Sequence, residues 1–351
     1  MLWTLFLNAS LAEQLPNPQP FVFFQGWGTL YDMDEDVQAD PAGYGDPEDD
    51  TGFKIRRARI GVKGKDDRFL YRVSVGMSSG YDTVLQSNND DIDIVDAYVG
   101  YRPLKGLWVN VGTQKVPASR DQIMSTSQLV FTERSLPGAW LVPNREVGLV
   151  ADYRTREDGT RFRARGGVFN GNGSLLGDNN PGKMFAGRLE MNSGPASVYR
   201  TYGVVDSPTF GFAADLVHNT DLSVTTTAYG ADFIFRYSGL ALLGEYRVEQ
   251  LEPANSDIVD PGVLSQTKRD GYLAQVGYSY KGYEFATRYD YFDDNKDIDN
   301  AGDVAQLLVG VTYHTREDRV RIGGGYQMRL ERDATSVIEN DTARLWIQIR
   351  Q

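Results

Sequence analysis

Between Phe21 and Gln351 the chain repeats one unit about sixteen times: roughly ten residues of alternating apolar and polar character, then a turn. Successive side chains of a strand point to opposite faces, so such alternation gives a ribbon with one greasy and one wet side. The stretch 271–291 shows it. Tyr272, Ala274, Val276, Tyr278 and Tyr280, then Tyr283, Phe285, Thr287, Tyr289 and Tyr291 form one side. Gln275, Ser279, Glu284, Arg288 and Asp290 form the other. An apolar, aromatic face, a charged face and about ten residues per strand meet the requirement for a membrane-spanning barrel with a polar interior. A soluble sandwich would share the period but not the alternation of short and long connections.

The pattern places strands near 21–31, 52–64, 68–80, 92–102, 106–115, 146–155, 160–169, 184–192, 209–218, 227–238, 239–250, 271–281, 282–293, 303–315, 318–331 and 342–350. Connections after even-numbered strands are mostly tight, as at Lys65–Asp67, Ser238–Gly239, Lys281–Gly282 and Glu317–Asp318. The exception is 193–208, long enough to hide a strand extension. Connections after odd-numbered strands are long: 32–51, 81–91, 116–145, 170–183, 251–270, 294–302 and 332–341. Outer-membrane barrels have short periplasmic turns, long outer loops and, with an even strand number, both termini periplasmic. The expected fold is therefore all-β: a 16-stranded antiparallel transmembrane barrel over 13–351 in the bacterial outer membrane.

Composition agrees. There are 37 glycines, 20 tyrosines and no cysteine among 351 residues, which removes disulfides, thiolate metal sites and cysteine nucleophiles together. Mean hydropathy is −0.41 and no run of 18 apolar residues exists, so no transmembrane helix is expected. A barrel shows lipid only every second residue, so that value suits one. Residues 1–12 read as the end of a signal peptide, with Ser10 and Ala12 at cleavage spacing; the alternative is a disordered or strand-like start. The net charge is −12, and nine acids without a base crowd between Asp32 and Asp50. No basic tail or helix stands apart to bind nucleic acid.

A charge on the lipid face at the bilayer midplane would cost roughly 2–4 kcal/mol, so the charged face must line the lumen. Its bases are Arg57, Arg59, Lys63, Arg72, Arg163, Arg165, Arg188, Arg236, Arg247, Arg288, Arg321, Arg329, Arg344 and Arg350. Its acids are Asp96, Asp152, Glu190, Asp232, Glu245, Glu249, Glu284 and Asp290. A basic lumen favours anions over cations. The alternative is that lumen charges of both signs pair with one another. The 30-residue connection 116–145 is long for a compact barrel and reads as a constriction loop folded into the pore, or else as an external cap.

Several segments together resemble the phosphate-selective porin O and P family. They are Phe53–Val62, Asp96–Val99, Val111–Pro117, Thr132–Ser135, Pro143–Gly148 and Gly167–Gly171, in that order, with Gly239–Leu240 and Gly244–Tyr246 later. The resemblance implies a 16-stranded homotrimeric porin with a basic, anion-selective constriction, embedded in outer-membrane lipid and passing small anions such as phosphate. By motif, Lys115, Glu133, Arg134 and Arg145 stand as constriction-region candidates; Arg120, a further base of the 116–145 loop, joins Lys115, Arg134 and Arg145 as an anion-binding candidate, and Glu133 is either at the constriction or holds Arg134. Arg57, Arg59, Arg72, Arg163 and Arg165 are the expected basic wall.

No cofactor, metal or catalytic residue is expected. The two histidines, His218 and His314, have no nucleophile or carboxylate pattern around them that resembles a hydrolase. The acidic runs 32–36 and 293–299 lack the glycine and glutamate of an EF-hand loop, and read as solvated loops with divalent bridging to lipid headgroups as the alternative.

Overall fold

The computed structural model describes residues 16–32, 51–78, 92–155, 159–173, 177–178, 180–254, 266–299, 302–315, 317–331 and 341–351. The expected leader at 1–12, the acidic loop core at 33–50 and most of loops 81–91, 251–270 and 332–341 lie outside them. Sixteen strands form one closed antiparallel barrel. They are β1 Gln19–Asp32, β2 Gly52–Lys65, β3 Phe69–Ser78, β4 Asp93–Leu104, β5 Leu107–Lys115, β6 Arg145–Arg154, β7 Thr160–Phe169, β8 Met184–Ser193, β9 Thr209–Thr220, β10 Val224–Tyr237, β11 Leu240–Pro253, β12 Thr267–Tyr280, β13 Tyr283–Asp293, β14 Val304–His314, β15 Val320–Glu331 and β16 Thr342–Arg350. Each pairs with its chain neighbour, and β1 closes on β16 with Trp27 opposite Trp346. Among the described residues, no helix is long and apolar enough to cross a membrane.

The burial pattern inverts that of a soluble protein. Arg57, Arg188, Arg247 and Arg321 are among the largest fully buried side chains. Leu189, Val99 and Ile60 are 67%, 62% and 59% exposed on the outer face. Water is the wrong solvent for that surface and lipid the right one.

The tight connections carry the expected turn chemistry. Ser238–Gly239 and Lys281–Gly282 have positive φ at both residues (50° and 88°, 50° and 86°), the geometry whose twist matches paired strands. One outer connection is shorter than the sequence suggests. β9 and β10 extend until just Asp221–Ser223 joins them, because Thr225–Thr227 continue the ladder onto His218–Thr220.

Two bulges change what the alternation delivers. Opposite β1, Gln25 pairs with Arg57 and Gly26 with Ile55, so the register skips Arg56. Arg56 and Arg57 are therefore both buried inside, although they are consecutive. Opposite β3, Ser74 pairs with Asp96 and Val75 with Ile94, so Val95 bulges beside Asp96.

Two connections fold into the lumen. The first is 116–144, with helix α1 Arg120–Ile123, a 3-10 turn Thr126–Gln128 and helix α2 Leu136–Trp140. The second is the periplasmic connection 194–208, which is not a strand extension. Val198 packs there with Met124, Leu129, Ile234, Leu243 and Leu273. Tyr202 packs with Val130, Phe131, Ala286 and Leu308. Each of these clusters buries apolar side chains in the middle of an otherwise polar lumen.

Candidate functional site

The inward loop leaves the wall where Lys115 and Arg145 face each other across β5 and β6. The Val116 N–H donates to the Asn144 carbonyl at 3.1 Å, closing the neck. Ser119, at φ 57°, turns the chain and accepts from the Gln122 N–H at 3.1 Å, capping α1. The Lys115 ammonium then donates to the carbonyls of Gln122, Ile123 and Met124 at 2.7, 3.2 and 2.7 Å. Those acceptors lie at the open end of the helix, where intrahelical donors run out.

Beyond the neck the loop is pinned to the far wall. Arg120 Nε lies 2.6 Å from Asp232 Oδ1, both side chains fully buried. The Arg120 Nη1 donates to the Val198 carbonyl at 3.0 Å. Ser119 N–H donates to Asp215 at 3.0 Å, and Asp215 and Asp232 are shared with Arg188. Arg134 donates to the carbonyls of Asp121 and, at 2.9 Å, Met124, tying the outgoing and returning limbs together.

The tip and the returning limb are held by arginines that donate to backbone. Arg321 reaches the Leu129 carbonyl at 2.8 Å, Arg350 the Ser127 carbonyl at 3.1 Å and Arg288 the Glu133 carbonyl at 2.9 Å. Glu133 lies between Arg56 and Arg57, with nearest separations of 3.0 and 2.8 Å. Burial opposes ionisation of Glu133, but the two guanidiniums more than offset it and hold its pKa below the ordinary carboxylate value.

What the loop leaves open runs along the opposite wall. A cavity of about 280 Å³ lies between Ile123–Thr126 and strands β2–β6, with Arg59, Arg72, Lys115 and Arg145 on it. A second, of about 500 Å³, continues toward the periplasmic end between Ser125–Gln128 and β1–β3, with Lys63, Arg319 and Arg350 added. The two share Arg59, Arg72, Ser125 and Thr126, and Arg59 Nη1 touches Thr126 Oγ1 at 3.4 Å. Together they carry seven bases against three acids. Among the acids, Asp96 is gripped by Arg72 and Arg145 at 2.8 and 2.9 Å, while Glu317 and Asp318 belong to the β14–β15 turn.

The expected residues thus separate into two groups. Lys115 and Arg145 line the first cavity, and Arg59 and Arg72 line both. Arg120 and Arg134 do not reach either cavity: they are fastened inside the loop and against β10. Arg57 is withdrawn onto Glu133, so Glu133 holds the wall. Arg163 and Arg165 face the 194–208 segment, where Arg163 chelates Asp152 at 2.8 Å and both donate to the Tyr199 hydroxyl. Arg165 also pairs with Glu190.

The sequence reading passed over Asp215, the shared anchor of Arg188 and Arg247, although it lies on the same parity as Ala213 and Val217. It also missed the filling role of 194–208, for which Tyr199 and Tyr202 in a periplasmic connection were the available signal.

In the acidic run 293–299, Asp293 and Asp294 gather with Asp303, while Lys296 pairs with Asp270. His218 Nδ1 lies 3.0 Å from the Thr227 hydroxyl, and His314 Nδ1 lies 2.9 Å from Asp318.

A closed sixteen-strand barrel with an apolar outside, a charged inside and a loop folded into the lumen is an outer-membrane porin, a channel across the bacterial outer membrane. The phosphate-selective porin O and P family matches residues 31–350, and the chain belongs to that family. Similar solved barrels share the fold at low identity. The anion-selective porin from Comamonas acidovorans is 14% identical, with 95% of this chain and 99% of that one covered and a TM-score of 0.59. Pseudomonas putida OprB is 11% identical, with 97% and 96% covered and a TM-score of 0.62. The trimer form of Vibrio cholerae OmpT is 11% identical, with 96% and 100% covered and a TM-score of 0.58. No curated protein matches the chain by sequence.

Proposed function

We propose that this porin passes small anions, phosphate among them, in preference to cations. The path runs along the β1–β6 wall past Lys115, Arg145, Arg72, Arg59 and Lys63. The observation that carries the reading is the imbalance on that path, seven bases against three acids, with Asp96 already engaged by two of the arginines. Spaced bases let an anion move between donors without being trapped at one. The Comamonas barrel, named as anion-selective, supports the same direction. Arg120, Arg134, Arg163 and Arg165 serve here as scaffolding for the loop and for segment 194–208. Both histidines are engaged in wall and turn contacts, which favours a channel over a hydrolase. The working unit is a homotrimer in outer-membrane lipid, with 21–31 and 303–350 as contact candidates; the trimeric OmpT form supports this.

The test is the reversal potential of the reconstituted protein across a potassium chloride gradient. An anion-selective sign is expected, and a cation-selective sign would overturn the reading. Cross-linking in detergent should stop at three copies; a ladder that stops at one defeats the trimer.

A further inference from the structure

We infer that the periplasmic cavity discriminates among anions by their bodies as well as their charge. It favours carboxylates or sulfonates bearing a flat aromatic group, with Phe21 and Arg72 as the selecting pair. This rests on the anion reading above and narrows it.

The geometry is specific to one patch of wall. Phe21 enters the lumen on β1 and lies across β2 where Gly61 has no side chain. A Cβ on Gly61 would come within 2.6 Å of Phe21 Cζ. The glycine therefore makes the seat in which the ring lies against the wall. Arg72 stands over that ring with its guanidinium carbon 4.4 Å from the centroid, and the Lys63 ammonium lies 5.9 Å away. Arg72 gives its Nε to Asp96, yet its side chain keeps 33% exposure, so part of the fork faces the cavity. Phe23 continues the apolar strip on the same strand.

A bare inorganic anion has no use for this strip, since shedding water beside a phenyl ring without a replacement donor is unfavourable. An arylcarboxylate or arylsulfonate matches both parts: its anionic group meets Arg59, Lys63 or Arg72, and its ring stacks on a guanidinium face or against Phe21. Size agrees. The cavity of about 500 Å³ falls in the range that holds organic ligands, roughly 300–1,000 Å³.

The experiment compares two monoanions of equal charge and different body, benzenesulfonate and methanesulfonate, as blockers of chloride current through single channels in planar bilayers. The expected result is half-block by benzenesulfonate at a concentration at least tenfold lower. Phe21→Ser should reduce that ratio to less than twofold and leave the reversal potential in potassium chloride unchanged. Phe21→Leu keeps the apolar bulk without the ring and should also lose the preference, covering the case in which Phe21→Ser does not assemble. Equal block by both anions in the unaltered channel, or an undiminished ratio in the variants, overturns the inference while leaving anion selectivity standing. A cation-selective reversal potential would defeat the anion reading and this inference together.

Discussion

Glu133 meets Arg57 in a two-pronged ion pair inside the barrel, with Nη1–Oε1 at 2.9 Å and Nη2–Oε2 at 2.8 Å. One partner belongs to the inward loop and the other to the wall, so the loop is a fixed partition. The bulge at Arg56 brings a second guanidinium to the same carboxylate, 3.0 Å away. Glu133→Gln should therefore leave two arginines facing a neutral amide. Removing one partner of a buried pair costs roughly 3–5 kcal/mol, and Glu133, about a quarter exposed, should fall at or below the lower end. A lower temperature for loss of the compact form on unboiled gels and noisier single-channel current are expected. A variant as quiet and heat-resistant as the parent would show that the pair does not hold the loop.

The same logic separates anchors from pore residues. Arg120 and Asp232 are both fully buried, 2.6 Å apart, on the side of the loop away from the cavities. Arg120→Met takes one of two arginines from Asp232, whose other carboxylate oxygen stays 2.6 Å from Arg188, and should destabilise by less than the roughly 3–5 kcal/mol of a fully stranded buried charge. Adding Asp232→Leu then deprives the buried Arg188 of a counter-charge and should deepen the loss, not recover it. The sign of selectivity should stay constant through both variants. A change in reversal potential with Arg120→Met alone would place Arg120 on the conducting path.

Acid should not open the partition until the carboxylates themselves protonate. At Glu133 burial is more than offset by Arg56 and Arg57, and the folded pKa is lowered. At Asp318, in the β14–β15 turn, burial is likewise more than offset by His314, Arg350 and Tyr202, and the folded pKa is again lowered. A depressed folded pKa gives stability that is fully present above the unfolded value, about 3.9–4.3, and is lost as pH falls through the folded value. Conductance and heat resistance should hold from pH 8 to 5 and fail below about pH 4. A midpoint near pH 6 would assign the transition to other groups.

Strand number, closure and facing were legible in the sequence because period-two alternation is a local signal, and every charged position off-register would have been costly in lipid. Tyr272, Val276 and Phe285 stand outside and Gln275, Glu284 and Arg288 inside, as parity requires. The inward loop was legible as a long connection but not as a set of contacts. Nothing local distinguishes Arg120, which crosses to Asp232 over 112 residues of chain, from Arg145, which reaches Asp96 beside the cavity. Parity also fails at bulges. Arg56 should have pointed outward by count, and the extra residue opposite Gln25 and Gly26 puts it inside with Arg57. The lumen-filling segment 194–208 was hidden for the same reason as the loop contacts. Its apolar residues find partners at Met124 and Leu129–Phe131 of the inward loop and on β10–β14, none of them adjacent in sequence.

The charges on the open path allow a final prediction with opposite signs for neighbouring residues. Arg59 and Arg72 line both cavities, and Asp96 is held by Arg72 and Arg145. Arg59→Ala and Arg72→Ala each remove one positive charge and should lower the chloride-to-potassium permeability ratio. Asp96→Asn should raise it, because it releases two guanidiniums toward the path and removes one of the three acids. All of these effects should shrink with salt, since the Debye length falls from about 10 Å at 0.1 M to about 3 Å at 1 M. Reversal potentials for the three variants at both ionic strengths check this directly. An Asp96→Asn channel that loses anion preference would mean that Asp96 keeps Arg72 and Arg145 in their working positions, and that those positions, not the charge total, set selectivity.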